Sequence, residues 1–138
     1  TNTYRCRDGR YIVIGGNGDS IFKRLMVAAD NPQMADDPRL ASNQGRVEHE
    51  TEIDAALSAW CGANDAAVLL EKLDQARVPA GPIYNVADML ADPHFNARGL
   101  FETVEIDGEP LKIPALVPRL SRTPGATPAE RRSRSRLT

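Results

Sequence analysis

The chain has 138 residues, of which 41% are hydrophobic and 26% charged, the composition of one soluble globular domain. Its net charge of −2 hides a split: from Arg119 onward there are six arginines and one glutamate, whereas the rest carries eleven basic and eighteen acidic side chains. An acidic body argues against nucleic acid as a partner, since phosphate binding needs clustered positive charge. No apolar run reaches the roughly 18 residues of a membrane span, so no membrane contact is expected.

The start of the chain and its cysteines predict the cellular setting. The chain begins with Thr1 rather than methionine, so we expect it to start within a longer gene product, and its first residues show no secretory signal. Cys6 and Cys61 are too few and too far apart for a disulfide framework or a zinc site. A reduced, cytoplasmic protein without a metal site is therefore predicted.

A β-hairpin is predicted near the start of the chain. Asp8-Gly9 favours the positive φ angles of a tight turn, and the residues on both sides are β-formers. The second strand leads into the glycine-rich residues 15–20, where Asp19 or Ser20 should cap a helix. The predicted apolar stripe of that helix is Ile21, Phe22, Leu25, Met26 and Ala29.

The middle of the sequence predicts two longer helices. After a short helical turn opened by Pro38, one helix should span roughly residues 46–60, and Asn64 should cap the next. The residues expected to face the core are Ile53, Ala56, Leu57 and Trp60 in the first helix and Val68, Leu69, Leu70 and Leu73 in the second. Cys61, with no base placed beside it by the sequence, is expected to be a core residue.

The remaining residues predict short elements. Residues 77–84 contain two prolines and a glycine, which favour an extended crossing. Asn85 and Asp92 should cap two short helices, Gly99 should end the second, and Asp107-Gly108 predicts another hairpin. The predicted class is α+β: a small helical domain with short antiparallel hairpins at its two ends and a flexible C-terminal tail.

Three stretches together carry a resemblance to a known family. They are Gly15-Gly16-Asn17-Gly18-Asp19-Ser20 within residues 8–22, Asp36-Asp37-Pro38-Arg39 followed by Arg46-Val47, and Val78-Pro79-Ala80-Gly81-Pro82 followed by Asp92-Pro93-His94. In this order and spacing they resemble the C-terminal part of family III CoA-transferases. That family is also called the L-carnitine dehydratase / bile-acid-inducible protein F family, and it includes formyl-CoA transferases and α-methylacyl-CoA racemases. The resemblance covers about residues 4–124.

The resemblance implies a fragment of a larger enzyme. Residues 1–118 would be the small domain, and residues 119–138 a linker and a disordered Arg/Ser-rich tail. The large Rossmann-like domain and its nucleophilic aspartate would lie upstream, outside this chain. No catalytic residue is therefore expected here, and the fragment alone should be inactive. The parent would be a homodimer that uses a CoA ester and a carboxylic acid, without a metal or a tightly bound cofactor, because carboxylate and thioester supply the chemistry.

Residues 15–20 are the one candidate site. A strand-to-helix turn exposes N–H groups that attract anions, but the Walker and dinucleotide spacings are missing and the aspartate would repel an anion. A capped tight turn is the simpler explanation. In the racemase branch, however, an acidic residue at about the position of Asp19 reaches toward the active-site cleft. By this resemblance we predict Gly16, Asn17 and Asp19 as substrate-binding residues.

Two classes of function follow. In the first, the chain belongs to an enzyme that transfers CoA between a CoA thioester and a carboxylic acid, and this domain covers the CoA/acyl cleft. Within that class an acyl-CoA racemase (epimerase) is the alternative. In the second, the chain is a stand-alone protein-interaction module that uses its acidic body or basic tail.

Overall fold

A computed structural model describes residues 1–127 of the chain, in two compact units, Thr1–Ile83 and a second that begins at Tyr84. Helices and two small antiparallel sheets confirm the predicted α+β class. Among the described residues no helix has the length and apolar character needed to cross a membrane. The predicted small domain, residues 1–118, spans both units and stays a prediction, and most of the predicted tail lies outside the described residues.

The first unit combines a three-stranded sheet with helices. Its elements are β1 (Asn2–Arg5), β2 (Tyr11–Ile14), α1 (Asp19–Ala28), α2 (Pro32–Ala35), a 3₁₀ turn (Pro38–Leu40), α3 (Asn43–Glu48), α4 (Glu50–Ala63), α5 (Ala66–Gln75) and β3 (Ala80–Pro82). Strand β2 is central and pairs antiparallel with β1 and β3. The hairpin and the helical turn at Pro38 are therefore confirmed.

The core of the first unit lies between one sheet face and the helices. Alternation along the strands turns Tyr4, Ile12 and Ile14 inward, as the two-residue period of a strand requires. The helices contribute most of the other buried side chains, and Leu69 and Leu73 of α5 are fully buried.

Two helix starts differ from the prediction. The N-cap of α1 is Gly18, because Asp19 and Ser20 already lie inside its first turn. The N-cap of α5 is Asp65 rather than Asn64, and its side chain makes no capping hydrogen bond. Asp8 of the hairpin turn instead accepts a hydrogen bond from the N–H of Ala66 at 3.1 Å. A residue far away in sequence thus satisfies this helix end, which local capping rules do not consider.

The helix predicted over residues 46–60 is interrupted. It forms as α3 and α4, separated by His49, whose φ of −113° and ψ of 23° are not helical. Helix α3 begins earlier than predicted because the Ser42 hydroxyl accepts a hydrogen bond from the N–H of Gly45. Ile53, Leu57 and Trp60 are buried as predicted, whereas Val68 on α5 is wrongly predicted as a core residue and is 47% exposed.

The extended crossing predicted over residues 77–84 joins the sheet at Ala80–Pro82, whereas Arg77, with a φ of 53°, is not extended. Strand β3 pairs with β2 in the register Ile12↔Pro82, and the N–H of Gly15 donates to the carbonyl of Pro79 at 2.8 Å. Prolines are tolerated here because β3 is an edge strand, which needs donors on one side only.

The second unit contains α6 (Val86–Ala91), α7 (Pro93–Ala97), β4 (Phe101–Ile106) and β5 (Glu109–Pro114). Asn85 and Asp88 form a capping box, and Asp92 accepts from two N–H groups of α7, so both predicted caps are confirmed. Gly99 follows α7 with a φ of 59°. Asp107 and Gly108, with φ angles of 54° and 84°, form the turn of the predicted second hairpin.

Candidate functional site

The three predicted substrate-binding residues lie within residues 15–20, which we call the glycine-rich turn. Gly16 and Asn17 belong to the connection between β2 and α1, and Asp19 is the first residue of α1. Asn17 and Asp19 are exposed, and Gly16 is partly buried. A Cβ atom on Gly16 would lie 2.9 Å from Cδ2 of Leu25, so glycine allows this turn to run close to α1. The turn is therefore pressed against the core on one side and open on the other.

One buried cation holds the glycine-rich turn from the core side. The side chain of Arg46 on α3 is only 7% exposed. Its Nη2 donates to the carbonyl of Asn17 and to Oδ1 of Asp19, both at 2.7 Å, and its Nη1 donates to the carbonyl of Leu40 at 3.0 Å. Its guanidinium carbon lies 5.0 Å from the ring centroid of Phe22, which adds a cation–π contact.

These contacts change the electrostatics expected of the turn. A buried guanidinium is unfavourable unless its donors find partners, and here a carboxylate and two carbonyls accept from it. The carboxylate of Asp19 is 69% exposed but paired with Arg46, so the turn presents a neutralised ion pair rather than an isolated negative charge. Asp19 therefore repels an anion less strongly than an unpaired carboxylate would.

A pocket of about 170 Å³ lies beside the glycine-rich turn within the first unit. Its apolar lining is formed by Ile14, Phe22, Leu25, Val47, Ile53 and Leu57. Its polar lining includes Asn2, Tyr4, Gly16, Asn17, Asn43, Arg46, Glu50 and Asp54. Gly16 and Asn17 are thus brought together at one pocket, while Asp19 is connected to that pocket through Arg46.

A tyrosine–carboxylate pair also lines this pocket. The hydroxyl of Tyr4 donates to Oδ1 of Asp54 at 2.5 Å, and the side-chain amide of Asn2 donates to Oδ2 at 2.7 Å. Burial first, and then the hydrogen bond to Asp54, raise the pKa of the Tyr4 phenol above its usual value. The phenol therefore stays protonated at neutral pH and acts as a donor rather than a base.

The comparison with known proteins identifies the family. Residues 1–131 match the model of CoA-transferase family III. The chain belongs to this family. Succinyl-CoA–D-citramalate CoA-transferase of Chloroflexus aurantiacus is 44% identical over 126 residues, which cover 91% of this chain and 31% of that protein. The succinyl-CoA–L-malate CoA-transferase alpha subunit of the same organism is 31% identical over 123 residues, which cover 88% of this chain and 29% of the relative.

A solved structure supports the same assignment. A CAIB/BAIF family protein from Brucella suis is 32% identical, with a TM-score of 0.74 over 89% of this chain and 31% of that one. The family III chain therefore spans about a third of the length of the relatives it matches.

Both cysteines of this family III chain are buried and unpaired. Cys61 is fully buried, and burial raises its pKa to about 12, so the thiol is neutral at pH 7. Burial also raises the pKa of Cys6. The prediction that Cys61 is a core residue is confirmed. Within residues 1–127 no group of three or more His, Cys, Asp and Glu side chains could hold a metal ion.

Sequence reasoning missed the three polar residues that shape the site from the core side: Arg46, Tyr4 and Asp54. Arg46 belongs to a stretch that carries the family resemblance, but a single arginine in a helix usually marks a solvated face. Its burial depends on acceptors 27 and 29 residues upstream. The Tyr4–Asp54 pair joins residues 50 positions apart, so no local sequence pattern predicts it.

Proposed function

We propose that this chain is the small domain of an enzyme that transfers CoA between a CoA thioester and a carboxylic acid. The observation that carries the proposal is the 44% identity to succinyl-CoA–D-citramalate CoA-transferase over 91% of the chain. On the same grounds we propose succinyl-CoA as the donor and a small hydroxylated dicarboxylic acid as the acceptor, since citramalate and malate appear in the names of the two relatives.

In this proposal the chain shapes the acyl side of the cleft and does not break the thioester. The nucleophile belongs to a large domain upstream, and the parent works as a cytoplasmic homodimer without a metal or tightly bound cofactor. Gly16, Asn17 and Asp19 face the acyl group. Two observations support this role: the turn is open on its outer side, and Gly16 and Asn17 line a pocket of about 170 Å³. A pocket of this size suits a short acyl group rather than a whole CoA molecule.

The first test is turnover by the full-length protein. Succinyl-CoA is supplied with citramalate, malate and other carboxylic acids, and the new CoA esters are measured by mass spectrometry. We expect CoA to pass from succinate to one or more of these acids. Epimerisation at the α-carbon of a 2-methylacyl-CoA, supplied without an acid acceptor, would instead identify a racemase. Absence of reaction with every CoA ester would favour a stand-alone interaction module.

The second test addresses the site residues in the same full-length protein. Asn17→Ala and Asp19→Ala should each lower kcat/KM by about tenfold, because poorly placed contacts to the reacting group are costly. Asp74→Ala, which removes an exposed carboxylate from α5, is the matched control and should leave kcat/KM unchanged. An unchanged kcat/KM for Asn17→Ala and Asp19→Ala would remove both residues from the proposed site.

A further inference from the structure

The glycine-rich turn needs an external support to hold one conformation. Three of its six residues, Gly15, Gly16 and Gly18, are glycines, which lose more conformational entropy on ordering than any other residue. Its ends are held by the hydrogen bond from Gly15 to Pro79 and by the first turn of α1. Between these ends, Arg46 donates to the main-chain carbonyl of Asn17 and thereby holds the centre of the turn.

We propose that Arg46 is the positioning residue of the glycine-rich turn and thereby sets which acyl groups the parent enzyme accepts. The selectivity part rests on the proposed function, in which Asn17 and Asp19 face the acyl group. The guanidinium donates to the Asn17 carbonyl, while the exposed Asn17 side chain accepts through Oδ1 from the ammonium and the hydroxyl of Thr1. Because a trans peptide directs its C=O and N–H oppositely, the N–H of Gly18 points away from Arg46. Arg46 thus holds the main chain of the turn, whereas Thr1 contacts only the Asn17 side chain.

The geometry of these contacts favours arginine over lysine at this position. Nη2 reaches two acceptors, Asn17 and Asp19, while Nη1 of the same planar group reaches Leu40. A lysine ammonium carries the same charge as a single point and cannot span these acceptors in one fixed arrangement. Arg46→Lys should therefore keep the ion pair with Asp19 and loosen the main-chain contacts. Arg46→Gln loses the charge as well.

The experiment separates positioning from stability in the full-length protein. Backbone hydrogen exchange of residues 15–20 is measured for wild type, Arg46→Lys and Arg46→Gln. Turnover is measured with succinyl-CoA and with butyryl-CoA, a donor of similar length without the terminal carboxylate. Leu69→Ala is the control for stability alone, because Leu69 is fully buried in α5 and does not line the pocket. Arg39→Gln is the control for loss of a cation, since Arg39 is exposed and pairs with Asp37 and Glu52.

The expected pattern is specific to a positioning role. Exchange in residues 15–20 should rise about tenfold in Arg46→Gln and less in Arg46→Lys. The ratio of kcat/KM for succinyl-CoA to that for butyryl-CoA should change about fivefold or more in Arg46→Gln, with partial recovery in Arg46→Lys. Leu69→Ala should lower the melting temperature without changing this ratio, and Arg39→Gln should change neither the exchange nor the ratio.

Each other outcome counts against the proposal. Unchanged exchange in Arg46→Gln would show that the turn does not depend on this residue. Faster exchange with an unchanged donor ratio would make Arg46 structural only. If Arg46→Gln fails to fold, the Arg46→Lys measurements decide. If wild type transfers no CoA, the proposed function fails and the selectivity claim fails with it, whereas the exchange data still decide whether Arg46 orders the turn.

Discussion

The two units of the chain reach their structure by different means. All eighteen apolar residues that are buried within residues 1–127 lie in the first unit, where sheet and helices enclose them. In the second unit no described residue is buried, and its elements are held by a capping box at Asn85, a cap at Asp92 and the turn at Asp107 and Gly108. Local hydrogen bonds can thus specify helices and a hairpin, but a two-stranded sheet contributes little stability without a buried face.

The difference also determines where a charged side chain can be fixed. Arg46 is held by three acceptors inside the first unit, and the surrounding core restricts its movement. In the second unit, by contrast, the hydrogen bond from Arg119 to the carbonyl of Gly99 is exposed. Packed surroundings keep a side chain in one conformation, whereas exposed side chains readily exchange partners with water.

The largest expected effect is a cavity in the first unit. Leu69→Ala should lower the free energy of unfolding of the 138-residue chain by about 3 kcal/mol, because Leu69 is fully buried. Val104→Ala on β4 should lower it by less than about 1 kcal/mol, because Val104 is only partly buried. Urea unfolding followed by circular dichroism measures both. Equal losses would mean that the second unit shares in the stabilising core.

A matched control for the cavity lies next to Leu69 on the same helix. Val68 is 47% exposed, so Val68→Ala should change the free energy of unfolding by no more than about 0.5 kcal/mol. A large loss for Val68→Ala would show that α5 is sensitive to any truncation and that burial does not explain the result.

A smaller contrast is expected between two glycines. A Cβ atom on Gly45 would lie 1.9 Å from the carbonyl oxygen of Arg39, so Gly45→Ala forces the backbone of the first unit to move. We expect a loss of about 2 kcal/mol in the global transition. Gly108 has open space but a φ of 84°, so Gly108→Ala costs about 1 kcal/mol of local strain.

The readout for this pair is position-specific. Gly108→Ala should speed amide exchange in β4 and β5 and leave the urea midpoint of the first unit unchanged. Gly62→Ala is the control for the substitution itself, because nothing surrounds its Cβ position and alanine favours a helix. A shifted midpoint in Gly108→Ala, or none in Gly45→Ala, would contradict the contrast between the units.

The smallest expected effect is a pH dependence in the second unit. The hydrogen bond from the Tyr84 hydroxyl, and then those from the N–H groups of Phe95 and His94, hold the pKa of the Asp92 carboxyl below its usual value. Because the pKa of Asp92 is lower in the folded state, its carboxylate stabilises the fold fully at pH values above the unfolded-state pKa, about 3.9. This stabilisation is lost as the pH falls through the folded-state pKa.

This titration is measured by NMR on the Asp92 carboxyl and on the amides of His94 and Phe95. The start of α7 should loosen only below about pH 4, and Asp92→Asn should remove the pH dependence of these amides. An Asp92 carboxyl that titrates at or above its ordinary pKa would show that the cap and the tyrosine contact do not persist in solution.

The second unit is also the part of the fold that sequence patterns describe best. Asn85, Asp92 and Asp107-Gly108 each act on residues within a few positions, and all three predictions are confirmed. In the first unit, the cap of α5 and the pairing of β3 with β2 depend on residues 58 and about 70 positions away, respectively. Rules that consider only neighbouring residues therefore predicted the N-cap of α5 one residue too early. They predicted β3 as extended but not its pairing with β2.

The same limit applies to the candidate site. Glycines between a strand and a helix mark the turn in the sequence, and of the residues singled out there Gly16 and Asn17 lie between β2 and α1, while Asp19 begins α1. Their roles in substrate binding stay predictions. The sequence contains no sign that Arg46 pairs with Asp19, because an arginine in a six-residue helix shows no periodicity that would distinguish an inward from an outward position.

The sequence by itself determined the α+β class, the hairpin turns, the caps of the second unit and, through three ordered stretches, the family. These features depend on local backbone preferences or on the order of residues, and the amino-acid sequence contains both kinds of information. Only the tertiary structure decided that Arg46 is buried beneath the glycine-rich turn, that Asp8 caps α5 and that Tyr4 meets Asp54. Each of these contacts joins residues tens of positions apart, and chain folding alone brings their atoms within hydrogen-bonding distance.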